Sequence, residues 1–334
     1  TTKAACLNTL WQAMLRAELV GGFRYRGIVL HDAEDVAHPD ELALFAAYLP
    51  QRAMVQLPVV PLLDDSSHWI SGHYADEFAE QHGKTMIVRE AIGAAIPSAG
   101  VACCFEREAL GAVAEDRGGL PFDPGALTED YELGIRMSRG GRGTFVRLPA
   151  ANGEAAVATR EHFPATFDAA LSQKTRWLVG IAFQGWDRLR WRGSLADKYM
   201  FLRDRKPVPN AIAIVLAYAA LTLSVLCEFA RLAFPALSGF APVVQGGTPL
   251  AALLAVTSIT LVWRLVLRSI FTWRIYGWRQ GLLAVPRSLV ANIFSVAAAW
   301  KATGAWIALL TKDTPLSWNK TAHRFPDDDQ LCAR

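Results

Sequence analysis

An abrupt change in composition after Pro209 constrains the fold of this 334-residue chain more than any other feature. Ala211–Phe234 is almost wholly apolar, and Leu250–Leu267 is a second apolar run that ends among arginines. About 20 apolar residues are the length at which a helix crosses the hydrocarbon core of a bilayer. Residues 1–206 instead mix charged helical patterns with short apolar strands, as globular α/β domains do. The sequence therefore predicts a globular domain at 1–206 and a membrane region at 207–311.

Residues 278–310 are less uniformly apolar than the two predicted spans. Asn292 and Lys301 interrupt the pattern. Burying Lys301 at the centre of a span costs roughly 2.5–3.5 kcal/mol on insertion scales. The sequence therefore predicts two interfacial helices here, Trp278–Val285 and 288–310, on the cytoplasmic face.

Basic residues flank the predicted spans on one side. They cluster at 203–206, before the first span, and at 264–287, after the second, whereas Pro235–Pro249 carries no charge. The positive-inside rule then predicts that the globular domain and the tail at 312–334 are cytoplasmic and that the loop is outside. Because these clusters flank membrane segments and lack a nucleic-acid-binding fold signature, no nucleic-acid partner is expected.

Three carboxylates follow the first predicted strand. Asp32, Glu34 and Asp35 come directly after the apolar residues that end at Leu30. Open α/β sheets bind ligands beyond the carboxyl ends of their strands, and hard divalent cations prefer clustered carboxylate oxygens. The turn therefore predicts a metal site in which Glu34 and Asp35 compete for the second position beside Asp32. The alternative is a solvated acidic turn that caps a helix starting near Pro39.

A second acidic motif, Thr128-Glu129-Asp130, precedes a helical pattern at 131–137. Thr128 is a good N-cap residue, and acidic residues in a first turn are stabilised by the helix dipole. A positioned carboxylate such as Asp130 is also the usual general base for a hydroxyl nucleophile. Both interpretations fit the motif by itself.

A third motif lies in the predicted helix Leu171–Ala182, where Gln173, Arg176 and Trp177 fall within about one turn. Arg176 offers a fork that suits diphosphate oxygens, and Trp177 offers a flat face for a sugar ring. The alternative is an amphipathic surface helix whose tryptophan faces the bilayer.

In their order along the chain, the three motifs resemble the D-x-D, T/E-D and Q-x-x-R-W signatures of membrane-embedded family 2 glycosyltransferases, which include cellulose and hyaluronan synthases. The family usually has Asp where Glu34 stands. Longer strings such as His31–Val36 and Phe183–Trp186 are similar to the phage adsorption protein B branch, inner-membrane glycosyltransferases linked to exopolysaccharide secretion. The resemblance implies a GT-A type α/β domain with a Rossmann-like mixed sheet. It also implies that the domain is N-terminally incomplete, since the family has a βαβ half before residue 3.

The resemblance gives each motif a role. Asp32, with Glu34 or Asp35, is expected to bind Mg²⁺ or Mn²⁺ on the donor diphosphate, and Asp130, beside Glu129, to be the general base. The residues expected to bind donor and acceptor are Lys3 and Asn8 of a K-A-x-x-L-N segment, Ser98 and Gly100 of a small-residue acceptor loop, and Gln173, Arg176 and Trp177.

The implied activity is inverting, processive sugar transfer from a nucleotide-diphosphate sugar, expected to be a UDP-sugar, to a polysaccharide. It would take place at the bacterial inner membrane, with the catalytic domain in the cytoplasm, in contact with membrane lipid and with an outer-membrane export partner. One alternative is transfer of a single sugar to a lipid carrier. Another is a membrane receptor or scaffold that has kept the fold without the activity.

Overall fold

The computed structural model describes residues 2–148, residues 156–312 apart from 235, 237, 238 and 240, and residues 325–326. The domain before the apolar helices is built on six short strands: β1 Gly27–Leu30, β2 Met54–Gln56, β3 Val59–Leu62, β4 Cys103–Glu106, β5 Gly143–Phe145 and β6 Thr159–His162. The helices of this domain are α1 Lys3–Gly21, α2 Glu41–Tyr48, α3 Ile70–Glu80, α4 Met86–Ala91, α5 Arg107–Glu115, α6 Glu129–Ser138, α7 Phe167–Leu178, α8 Gly185–Leu189 and α9 Leu195–Arg205.

The strands form a mixed sheet, as the α/β prediction requires. Its order is β1-β4-β2-β5, with β4 antiparallel to both neighbours and β2 parallel to β5. A second, parallel pair joins β3 to β6, and an isolated bridge between Val36 and Arg160 ties β6 to the turn after β1. Two of the short apolar runs from which the sequence predicts strands, Arg26–Leu30 and Ala53–Pro58, correspond to β1 and β2.

Side chains alternate across the main sheet and divide the core into two layers. Met54 and Phe105 pack on one face in a cluster that includes residues of α1, α5 and α6. Val55 and Cys104 point to the opposite face and pack with residues of α2. The period of two along β2 and β4 therefore places helices on both faces, which buries the sheet.

Three further helices are long and apolar enough to cross a membrane by length and composition: α10 Pro207–Ala233, α11 Pro249–Tyr276 and α12 Trp278–Lys312. Instead of the two short helices predicted after residue 277, α12 is one helix with Pro286 inside it. The second predicted span ended at Leu267, but α11 continues to Tyr276 because its last turns pack on the globular domain.

Helix α3 is the element on which the apolar helices meet the globular domain. On one side it contacts α11, whose Thr272 hydroxyl donates to Asp76 Oδ1 at 3.2 Å, and α12, through the ion pair of Asp76 with Arg287. The His73 ring also stacks on Phe294 of α12 at 4.7 Å. On the other side it contacts α7, where the Tyr74 hydroxyl donates to the Ala170 carbonyl at 3.3 Å. Helix α7, which carries the third motif, also packs directly on α12, where the Phe167 ring stacks on Phe294 at 4.8 Å.

Candidate active site

The acidic turn after β1 is organised by Asp35. Its Oδ2 accepts from the Asp32 backbone N–H at 2.9 Å and lies 2.9 Å from His31 Nδ1, while His31 Nε2 lies 2.6 Å from Glu41 Oε1. Burial works against a charged imidazole, but hydrogen bonds to Asp35 and Glu41 raise the pKa of His31 to about 9. Asp35 thus braces the turn, and the choice between Glu34 and Asp35 as the second metal ligand beside Asp32 stays a prediction.

The acidic turn is not a helix cap. The N-cap residue of α2 is Asp40, and its side chain makes no capping hydrogen bond. The three predicted ligands lie before this point, on the path from β1. Of the two interpretations of the turn, the cap is therefore the one that the structure does not bear out.

Lys3 links the first two motifs. Its ammonium group forms an ion pair with Asp32. Burial opposes the charge, but the pKa of Lys3 is raised because Asp32, Asp130 and Glu129 all act on it. The lysine at the start of α1 thus compensates carboxylates of both acidic motifs, which are far apart in sequence.

Glu161 is a fourth carboxylate at the acidic turn, and sequence reasoning did not single it out. It lies on β6, one residue after Arg160, whose bridge to Val36 holds this strand beside the turn. Burial, together with the charges of Asp35, Asp32 and Glu34, raises the pKa of Glu161 well above its usual range. Only strand pairing across more than a hundred residues brings it here, so a local pattern could not have found it.

This set of carboxylates has the chemistry that a hard divalent cation requires. Mutual repulsion among the buried groups is what such a cation would relieve. Within the described ranges, however, no three His, Cys, Asp or Glu side chains already converge in a metal-binding arrangement. These side chains suit a divalent cation by their chemistry and charge, and not by a preformed arrangement.

Asp130 lies in the first turn of α6 and contacts residues 97–102, the loop predicted to bind the acceptor. Its Oδ1 accepts from the Tyr131 backbone N–H at 2.7 Å, and its Oδ2 lies against Gly100. Burial raises the pKa of Asp130 despite the opposing charge of Lys3. Burial and then the charge of Asp130 raise the pKa of Glu129 to about 7. A carboxylate with a raised pKa is a better proton acceptor, as a general base must be.

Thr128 does not cap α6 with its side chain, contrary to the capping interpretation. It occupies the N-cap position without a side-chain hydrogen bond to the helix. A Cβ built on Gly180 would lie 2.4 Å from its hydroxyl oxygen. Thr128 therefore packs against the segment that follows α7, which places the second motif next to the chain just after the third.

The acceptor loop, residues 97–102, is held by a residue that sequence reasoning missed. Gln56, fully buried at the end of β2, donates to the carbonyls of Val101 and Ala102 and accepts from the Ala99 N–H at 2.8 Å. Ser98, the predicted acceptor contact, receives the Gly100 N–H on its hydroxyl at 3.1 Å. A fully buried glutamine with three backbone partners in the loop is a positioning device for it.

Gly100 is expected to be intolerant of a side chain for a reason beyond its backbone. Its φ is +80°, and a Cβ there would lie 2.2 Å from Asp130 Oδ2. Gly100→Ala should lower sugar transfer by about 10²-fold, the cost of displacing a catalytic group by an ångström. Gly93→Ala is the matched control, because φ there is +71° with no atom within 4 Å. Both variants carry the left-handed strain of about 1–2 kcal/mol, so equal activities would show that the contact with Asp130 is unimportant.

The third motif faces this site from α7. Gln173 is buried, and its amide oxygen has no hydrogen-bond partner among the described residues. The charge of Arg176 acts on both Glu129 and Asp130. Trp177 packs among the rings of Tyr74 and Phe163, at centroid distances of 6.2 and 6.3 Å. Trp177 therefore faces the globular domain, and the alternative in which it faces the bilayer is wrong.

Asn8 is the one predicted ligand-binding residue whose amide is used elsewhere. Its Nδ2 donates to the Phe122 carbonyl at 2.7 Å, and its Oδ1 accepts from the Phe122 N–H at 3.1 Å. The pair fastens α1 to the loop before α6, so Asn8 helps to place Lys3. Contact between Asn8 and a nucleotide stays a prediction.

Comparison with known proteins agrees with this arrangement. The family model described as "Glycosyl transferase family group 2" matches residues 27–311. The chain belongs to the family 2 glycosyltransferases. It is also 37% identical, over 98% of its length, to bacteriophage adsorption protein B of Escherichia coli K12 and to bacteriophage N4 adsorption protein B of E. coli O157:H7. It covers 46% of each, so the chain spans about half the length of these relatives.

Two side chains link the three motifs of this family 2 glycosyltransferase. Lys3 joins the acidic turn to the Glu129–Asp130 pair, and Arg176 approaches the same pair from α7. The acceptor loop lies against Asp130. The family assignment by sequence resemblance, including the branch, is thus confirmed, whereas the individual residue roles remain to be tested.

Proposed function

We propose that this chain carries an inverting, processive glycosyltransferase site that extends a polysaccharide from a nucleotide-diphosphate sugar. One observation carries the proposal: buried Asp130 contacts the acceptor loop at Gly100 and lies within the charge field of Lys3 and Arg176. A base, an acceptor platform and cations for a diphosphate are thereby combined in one place. The donor is expected to be a UDP-sugar, by resemblance to the family.

The reaction follows from the positions of these groups. Asp130 accepts the proton of an acceptor hydroxyl, whose oxygen attacks the anomeric carbon of the donor. The bond from that carbon to the diphosphate breaks on the opposite face, so the configuration inverts. Lys3 and Arg176 supply positive charge for the departing diphosphate. A divalent ion held by Asp32 and Glu34 would neutralise the same diphosphate.

Asp32→Ala should remove the metal dependence of donor binding. The substitution deletes one ligand of the cation and also leaves Lys3 without its ion-pair partner. Titration of UDP with and without Mg²⁺ or Mn²⁺, on the full-length protein, measures the effect. Asp40→Asn is the control, because Asp40 is nearly half exposed at the start of the next helix. Metal-enhanced binding that persists in Asp32→Ala would contradict the role of the acidic turn.

Trp177→Ala should shorten or abolish the polymer while donor hydrolysis continues. The reason is that a sugar stacked on this ring keeps the growing end at the site. Product length by gel or mass spectrometry measures the effect, and Trp69→Ala, at an exposed tryptophan before α3, is the control. Polymer of normal length from Trp177→Ala would contradict the role of the ring. A wild-type enzyme that adds only one sugar to a lipid carrier would overturn processivity itself.

We propose further that the globular domain is cytoplasmic at an inner membrane and that α12 lies along the domain as an interfacial helix. The face of α12 at Arg287, Phe294 and Ala298 is buried. Asn292 donates to the Tyr218 hydroxyl of α10 at 3.0 Å, which gives a polar side chain a partner next to lipid. The predicted cytoplasmic tail lies mostly outside the described residues.

The names of the E. coli relatives connect those proteins with phage adsorption. We propose that the polysaccharide made here reaches the cell surface, where a phage could meet it, through an outer-membrane export partner. Comparison of surface polysaccharide in cells with wild-type protein and with Asp130→Asn tests this step. Equal amounts of surface polymer in both strains would contradict it.

A further inference from the structure

The hairpin of α11 and α12 encloses an apolar groove on the side turned away from α3. The two helices are joined at Gly277, whose φ is +84°. They approach most closely at Gly281, where a Cβ would lie 2.8 Å from Trp273 Cβ and 2.9 Å from the Ser269 carbonyl oxygen. The groove has a volume of about 450 Å³ and its lining is almost wholly apolar, including Val262, Val266, Ile270, Trp273, Leu282 and Val285.

Two arginines flank the turn of this hairpin. Arg274 and Arg279 are exposed, and the guanidinium of Arg279 lies 5.5 Å from the ring centroid of Trp278, which lines the groove. Neither has a carboxylate partner among the residues that the structure describes. The sequence offers none nearby, since it contains no Asp or Glu from 229 to 312.

Two other arginines of the hairpin differ from this pair. Arg268 and Arg287 are buried and lie against Glu80 and Asp76 of α3, at 3.8 and 3.0 Å. Docking of the hairpin on the domain therefore accounts for two of its cations. Arg264, Arg274 and Arg279 are exposed instead, and of these Arg274 and Arg279 lie at the turn, where their charge is directed to the surroundings of the protein.

The groove lies at the depth of lipid headgroups if α11 crosses the bilayer. Its 28 residues span about 42 Å at 1.5 Å per residue. The hydrocarbon core takes about 30 Å of this length, and the headgroup region takes the remainder. Trp273 and Trp278, both more than half exposed, then fall where tryptophans concentrate at membrane interfaces.

We propose that this groove is a binding site for an anionic glycerophospholipid. One acyl chain lies along the apolar lining toward Val262, and the phosphate lies between Arg274 and Arg279. Charge selects the occupant, because two unpaired guanidinium groups at the open end of an apolar slot match an anionic headgroup with an attached chain. The proposal rests on the membrane placement of α11 and is independent of the sugar-transfer chemistry.

Retention of phosphatidylglycerol by the full-length protein tests the site. The protein is purified in mild detergent, exposed to vesicles of phosphatidylglycerol or phosphatidylcholine, and bound lipid is counted by native mass spectrometry. Wild-type protein should retain phosphatidylglycerol in preference to phosphatidylcholine. The double variant Arg274→Gln/Arg279→Gln should bind phosphatidylglycerol about thirtyfold more weakly, the loss expected of two cations at a membrane surface.

Two further variants separate a built site from diffuse charge. Val266→Trp fills the groove without changing charge, and should also lose the lipid. Lys301→Gln/Lys312→Gln removes the same charge from exposed positions of α12, and should retain it. Retention of phosphatidylglycerol at the wild-type level by Arg274→Gln/Arg279→Gln would overturn the proposal. That result is expected if another part of the full-length chain covers the groove. Loss of phosphatidylglycerol from Lys301→Gln/Lys312→Gln that equals the loss from the arginine variant would also overturn it.

Discussion

Asp130→Asn in the full-length protein is expected to lower sugar transfer by about 10²–10⁴-fold, the range that general-base catalysis provides. Asparagine matches the shape of the buried aspartate beside Gly100 but cannot accept the proton. Donor binding should stay close to that of wild type, because Lys3 and Arg176 are unchanged. Radiolabelled sugar incorporation and nucleotide titration measure the two effects separately.

Asp116→Asn is the matched control, since Asp116 is exposed at the end of α5. Transfer at near the wild-type rate in Asp130→Asn would remove the base assignment. Loss of transfer together with loss of donor binding would instead point to a collapsed site.

The pH dependence of transfer should report the same pair of carboxyls. Glu129 and Asp130 titrate together, and burial raises the pKa of both, to about 7 for Glu129. A base acts only when deprotonated, so the rate should fall as the pH drops through about 7. Glu129→Gln removes a neighbouring negative charge and should move this fall to lower pH. An unmoved profile would show that another group controls it.

Arg287→Gln is expected to cost about 3–5 kcal/mol of unfolding free energy, the penalty for leaving a buried charge without its partner. Arg287 and Asp76 are both essentially inaccessible, with Nε and Oδ2 3.0 Å apart. Gly72 of α3 leaves room for the Arg287 guanidinium, because a Cβ at position 72 would lie 2.0 Å from Arg287 Nη1. The variant should also separate α12 from α3 and so disturb α7, which carries Trp177.

The ionisation of Asp76 makes the stability penalty of Arg287→Gln depend on pH. Burial, against the opposing charge of Arg287, raises the pKa of Asp76 to about 6. Since this exceeds the value of the unfolded chain, the folded protein binds the proton more tightly. Because Arg287 lowers this pKa, its removal should raise the pKa of Asp76 further, so the penalty in Arg287→Gln should be largest well above pH 6 and shrink as the pH falls toward 6.

Unfolding in detergent, followed by circular dichroism, measures this stability. The double variant Asp76→Asn/Arg287→Gln removes both charges and should recover most of the loss, and Lys301→Gln controls for the removal of a cation from α12. A single variant as stable as wild type would show that the ion pair contributes nothing to the junction.

The sequence by itself determined what depends on local pattern. The length of the long apolar runs predicted α10 and α11, and short apolar runs predicted β1 and β2. The short motifs, by resemblance, predicted the family. Each of these signals lies within one helix, strand or turn, so the residues that carry it are neighbours in the chain.

Tertiary structure alone decided which of these residues meet. Glu161 reaches the acidic turn through strand pairing, and Gln56 reaches the acceptor loop across the sheet. Trp177 faces Tyr74 because α7 packs against both α3 and α12. The continuation of α11 to Tyr276 has the same origin, since the Tyr276 hydroxyl donates to the Pro61 carbonyl at 2.7 Å. Contacts of this kind join residues 43 to 215 positions apart, and their stability depends on burial that no local pattern encodes.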